Sequence, residues 1–184
     1  MAYALPAEVE AYWRARRGER LMPLRSEIDP AGFTAALDHA FILERTGPAR
    51  TRLRLAGLWL TDAMGMEVRG MPGTSLFEPA ARADVAAAIE RVFSGPSILR
   101  IVLGSASGAR GSMVLLPLRS DLGDVSRALG CVGTPARPDL ARARLTIAAM
   151  EHEPLVPEPA PFELAEEQAP YHPPAAGHLR LVKG

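Results

Sequence analysis

Cysteine and histidine are both scarce in this chain. Only one of its 184 residues is a cysteine, Cys131, so no internal disulfide can form and a reducing compartment is the simplest home. Of the four histidines, His152, His172 and His178 lie beyond residue 150 at irregular spacing, too scattered to converge on a metal with fixed geometry. The fourth, His39, opens a strand and reads as a structural residue rather than a pocket group or a lone metal ligand. Net charge is absent too. The 21 basic and 21 acidic side chains cancel, which leaves no overall field to attract nucleic acid or an anionic membrane. No run approaches the roughly 18 apolar residues of a membrane span. The opening MAYALPAEVEAYWRARRGER lacks a basic leader followed by an apolar stretch, so the expected location is cytoplasmic.

Catalytic patterns are equally thin. Ser75, Ser105, Ser107 and Ser112 stand in no G-x-S-x-G elbow, and His39 alone could act as a base within the body of the chain. The glycines at 104, 108 and 111 precede a strand and not a helix N-terminus, so they read as a hairpin connection and not as a phosphate cradle. The expectation is a protein that is not an enzyme. Arg14, Arg16, Arg17, Arg20 and Arg25 read as a solvated helix end, with an acidic partner as the alternative.

What is present is enough for a core, because 48% of the residues are hydrophobic. Nine of the 17 prolines fall from Pro135 onward, and PLVPEPAPFELAEEQAPYHPPAAG holds seven of them amid six glutamates of the last third. Proline lacks an N–H and resists helix interiors and central strands. We therefore expect a domain over 1–136 and an extended or partly disordered acidic extension over 137–184. Two short alternating stretches, Leu145 to Ala148 and His178 to Val182, could instead pair with a sheet edge.

Within the body, Val9, Tyr12 and Trp13 have helical spacing after Pro6, with arginines near the end and Gly18 to stop the helix. Its apolar face must lie on the body of the same subunit or on the matching helix of a partner. His39 to Glu44 and Thr51 to Leu55 flank the turn signal Thr46-Gly47-Pro48 and read as a hairpin. Apolar spacing then turns helical from Leu58 to Gly65. Ala81, Val85, Ala88, Ile89, Val92 and Phe93 mark a longer helix behind Pro79. Three strands follow, over 97–105, 111–118 and 127–132, with Pro117 better suited to an edge or a strand end than to a strand middle. The order predicts an α+β fold: a five-stranded antiparallel sheet with helices on one face, preceded by an N-terminal helix.

That order, together with EAYWRARRGERLMPLRSEIDP, RLRLAG running into LWLTDAMG, GMPGTSLFEP and MVLLPL followed by SRALGCVG, resembles a family of single-domain PAS-like proteins of proteobacteria. The resemblance spans about residues 8 to 134. It implies that the helical insertion lies across the sheet and that a sensory pocket lies between them. Leu55, Trp59, Met64, Phe77, Ile89 and Leu115 would line it, Met66 would help seal it, Gly57 would let the strand turn, and Arg54 or Arg91 would anchor a polar end. It implies no flavin photochemistry, since the sole cysteine falls on the last strand and not in the helical region. It also implies no haem, since the long helix has no histidine. The function expected is a sensory or regulatory module that binds a small apolar or amphipathic ligand, dimerises through its N-terminal helix and signals to a protein partner. A ligand-free adaptor is the alternative, and a small α+β enzyme ranks behind both.

Overall fold

Alternation along the chain builds the sheet as expected. In the computed structural model, which describes residues 4–104, 111–134 and 144–155, β1 (Ala40–Gly47) and β2 (Arg50–Ala56) form a hairpin. Further along, β3 (Ser97–Gly104), β4 (Gly111–Arg119) and β5 (Val125–Gly133) form a meander whose last strand returns to pair with β1. A sixth strand, β6 (Thr146–Pro154), adds to β3, so the sheet runs β2-β1-β5-β4-β3-β6 with every neighbour antiparallel. The insertion between β2 and β3 carries α2 (Leu58–Met64) and α3 (Arg82–Ser94), joined by short 3-10 turns. Its apolar stripe, Trp59, Met64, Val85, Ile89 and Phe93 among others, packs on Leu43, Leu53, Leu99, Ile101 and Leu115 of one sheet face.

The other face is also apolar. Ile42, Ile98, Val114, Leu116, Leu118 and Leu129 project there, and α1 (Leu5–Arg17) lies across them with Val9 and Trp13 fully enclosed. The helix thus rests on its own subunit, so the face through which a dimer was expected is already covered. The Trp13 indole donates to the Pro117 carbonyl at 3.0 Å. This also explains a proline inside β4. The β3 pairing stops at Leu115, so Pro117 has no β3 neighbour to miss its N–H, and its carbonyl turns to Trp13 instead. Tyr12 tilts against Phe33 of the kinked 3-10 segment Pro30–His39, which extends the cover beyond α1.

The expected domain end near residue 136 falls short of the sheet. The alternation at Leu145 to Ala148 belongs to a strand that pairs with β3 from Thr146 to Pro154, with Ala148 as an extra, bulged residue. Just before the strand, Leu145 is buried in the core beneath α2 and α3 and exchanges backbone hydrogen bonds with Leu76 and Glu78. Just after it, Leu155 is buried in the core beneath α1. One short segment therefore enters both layers. The stretch His178 to Val182 lies outside the described residues.

Charge reinforces the same junction. Arg100 of β3 bonds Glu10 of α1 and Glu153 of β6, and Arg14 of α1 bonds the same two carboxylates. Burial works against ionising Glu10, yet the guanidinium groups of Arg100 and Arg14 outweigh it and hold the carboxyl below its ordinary 4.5. Hydrogen bonds from Arg14 and Arg100 lower Glu153 as well. Beside them His152 bonds the Ser97 hydroxyl at 3.0 Å, and burial, then the charge of Arg91, lowers its pKa from 6.5.

Two expectations follow. Burying Leu145 and Leu155 stabilises the fold by about 1.5–3 kcal/mol each, and each kcal/mol is worth about 2–4 °C at this size. A chain ending at Thr134 should therefore melt roughly 6–24 °C below one ending at Leu155, in a calorimetric comparison of the two. The titrating groups all bind fewer protons when folded, so acidification destabilises. The His152 contribution is complete above 6.5 and is lost as pH falls to its folded value. The contribution of Glu10 and Glu153 is complete above 4.5 and is lost as pH falls through their lowered values. Melting temperature against pH should decline in two steps, and His152→Gln should remove only the first.

Candidate functional site

Five of the six residues expected to line a pocket come together. Trp59 and Met64 reach down from α2, Phe77 from the link between helices, Ile89 from α3 and Leu115 up from β4, all buried in one contiguous apolar layer. Helical spacing places Val85, Ile89, Val92 and Phe93 on one side of α3, and α2 presents Leu60, Ala63 and Met64 in the same way. The rim of the layer carries its polar groups. The Arg82 Nε donates to the Phe77 carbonyl at 3.1 Å, the Arg144 guanidinium meets the Met64 thioether, and Arg45 pairs with Glu90 of α3.

Leu55 is not part of that layer. It pairs with Ile42, whereas Leu53, two residues earlier, pairs with the very next residue, Leu43. Arg54 is therefore a bulge, and a one-residue bulge sends Leu55 through to the opposite face. There it is 45% exposed, while Leu53 is buried beneath the helices. Met66 likewise seals nothing, being 55% exposed past the end of α2. Arg54 and Arg91 are exposed and do not enter the layer.

Gly57 is required, though not for a left-handed turn. Its φ is −70°, which any residue adopts, but an added Cβ would stand 2.2 Å from the Asp38 carbonyl oxygen. The close passage lets the Gly57 N–H reach the Ala40 carbonyl at 2.8 Å and starts α2 against the end of β1. Gly130 serves similarly, leaving the space that the Phe41 ring fills. His39 is tied to the sheet and to α2. Its Nδ1 donates to the Val132 carbonyl at 2.9 Å and its ring lies against Trp59.

On the opposite face the 3-10 segment stops short of β2 and leaves a cleft of about 260 Å³. Leu55 lines it together with Ile28, Phe33, Leu37, Ile42 and Leu58, and Arg25 and Asp38 supply its charged groups. The cleft has no sequence signature, because its walls come from four separate segments. Cys131 also lies on this face, in the core beneath α1, where burial pushes its thiol up to about 12. A thiol there cannot reach anything held between the sheet and α2 or α3. Among the described residues no three His, Cys, Asp or Glu side chains gather to hold a metal ion, and no helix is long and apolar enough to cross a membrane.

A sheet in the order 2-1-5-4-3 with helices inserted between its second and third strands is the PAS architecture. The chain belongs to the PAS domain family, whose model matches residues 1–133. Among solved structures it is similar to a light-oxygen-voltage domain studied with a flavin analogue, at 20% identity and a TM-score of 0.42, over 61% of this chain and 87% of that one. It is similar also to the LOV domain of the blue-light photoreceptor Aureochrome1 in its light state, at 17% identity and a TM-score of 0.40, over 62% and 93%. An RNA-binding light-oxygen-voltage receptor matches at 20% identity and 0.39, over 61% of this chain and 35% of that one. No curated protein matches the chain.

The face assignment can be checked by truncating one leucine from each side. Leu115→Ala removes a fully enclosed side chain and should cost about 2–5 kcal/mol. Leu55→Ala, at a half-open position, should cost less than about 1 kcal/mol by the same area argument. Urea denaturation of the two variants measures both.

Proposed function

We propose that the protein is a sensory or regulatory PAS module that takes a small apolar or amphipathic ligand between the sheet and the α2 and α3 layer. The observation that carries this reading is the single apolar layer formed by Trp59, Met64, Phe77, Ile89 and Leu115, drawn from four segments of the insertion and the sheet. A ligand that prefers one packing of this layer shifts the population toward it. The change has a route outward. Arg144 and Leu145 touch the layer at Met64 and at Leu76 to Glu78, β6 follows them, and Glu153 of β6 joins Arg14 of α1. The output is then a change in the surface around α1 and β6, read by a protein partner. A homodimer, if it forms the output, uses a surface other than the covered apolar face of α1. The ligand-free adaptor keeps one argument, since all five side chains are buried against their neighbours and already form a packed core.

A thermal-shift screen with extracted native metabolites separates the two. A ligand at about 100 times its dissociation constant adds about 2.7 kcal/mol, a rise of roughly 5–10 °C. Methyl spectra should place the bound compound beside Met64, Ile89 and Leu115. If no compound shifts the melt while a protein partner is retained on the folded chain, the adaptor reading replaces the sensory one.

A further inference from the structure

We propose that the outer cleft is a second binding site, distinct from the layer beneath α2 and α3, and that it takes a small zwitterion with an apolar side chain, such as a free apolar α-amino acid. Three observations converge on this class. The cleft is small, about 260 Å³, and half-open, just under the range usual for drug-sized ligands. Its walls are apolar, and three leucines on it stay accessible: Leu37 at 42%, Leu55 at 45% and Leu58 at 66%.

The third observation is charge. Arg25 and Asp38 both line the cleft, yet among the described residues they do not pair with each other, and neither side chain meets an ion-pair or hydrogen-bond partner. The acid nearest Arg25 in sequence is already engaged, because Glu27 accepts two hydrogen bonds from Arg20 at 3.0 Å and one from the Leu24 N–H. Arg25 is half-buried, so water screens its guanidinium incompletely, and no acid among the described residues supplies its counter-ion. A carboxylate would supply that counter-ion, and an ammonium group would face Asp38 on the open side. The apolar side chain would then cover the leucines. A purely anionic lipid-like ligand leaves Asp38 opposed to it, and a purely cationic one leaves Arg25 unpaired.

The test is a titration of the full chain with L-leucine and L-phenylalanine, followed by methyl spectra. Isocaproate, which lacks the ammonium group, and isoamylamine, which lacks the carboxylate, serve as controls. The expected result is saturable shifts at Leu37, Leu55 and Leu58, with both controls at least several-fold weaker. Arg25→Gln should weaken the amino acid by tenfold or more, since it removes a hydrogen bond between charged groups. Asp38→Asn should weaken it several-fold, less because the carboxylate is exposed. Leu58→Gln lies at an open position and should leave the fold intact while reducing affinity. No shift at the leucines, equal binding of either control, or indifference to Arg25→Gln would overturn the proposal. So would shifts confined to Ile89 and Leu115, which would put the ligand in the inner layer and leave the sensory reading standing.

Discussion

A sheet that is apolar on both faces is the constraint from which the rest of this structure follows. β4 and β5 bury side chains on both sides, Leu115 and Val132 toward one layer, Leu116 and Cys131 toward the other. Leaving either side in water would forfeit several large residues at about 1.5–3 kcal/mol each. The helices of the insertion cover one side, so something else must cover the second. That role falls to α1 and the 3-10 segment after it, and it fixes the orientation of α1, the burial of Trp13 and the acceptance of Pro117 in β4. The outer cleft marks where this second cover runs out, over Ile42 and Leu129 at the β2 end of the sheet.

The same constraint explains why β6 matters. It closes the β3 edge, which otherwise presents unpaired backbone groups, and it delivers one leucine to each layer. Ionic contacts among Glu10, Arg14, Arg100 and Glu153 then join α1, β3 and β6 at a single point. Individually such half-exposed pairs contribute little, but a network of four held by bidentate guanidinium groups defines a register. The junction ties the two layers together, since β6 carries Glu153 between Leu145, buried beneath α2 and α3, and Leu155, buried beneath α1.

Much of this was readable from residue spacing. The periods of 3.6 and 2 located α1, α3 and the five strands of the meander and hairpin, and the likeness to the PAS family named five residues that do share the inner layer. Leu55 did not, for a definite reason. Leu53 and Leu55 stand two apart and alternate as if they shared a face, and a bulge at Arg54 leaves no mark in composition or period. β6 was visible as an alternation at Leu145 to Ala148 but was outweighed by the prolines around it. Pro154 ends the strand, still in register opposite Ser97. The glycine at 57 stood out correctly but for the wrong cause, because close approach to a carbonyl cannot be told from a turn by sequence alone. The cleft was invisible, being assembled from segments whose convergence only the tertiary fold creates.

The indole contact between Trp13 and Pro117 spans 104 residues, and that between Arg14 and Glu153 spans 139. During synthesis α1 therefore emerges well before β4, β5 and β6, and waits for them before its docking surface exists. Non-local closure of this kind raises contact order and slows folding. Until β5 pairs with β1, the nascent hairpin carries an uncovered greasy side, and a holdase bound there would compete directly with the helix that finally belongs to it.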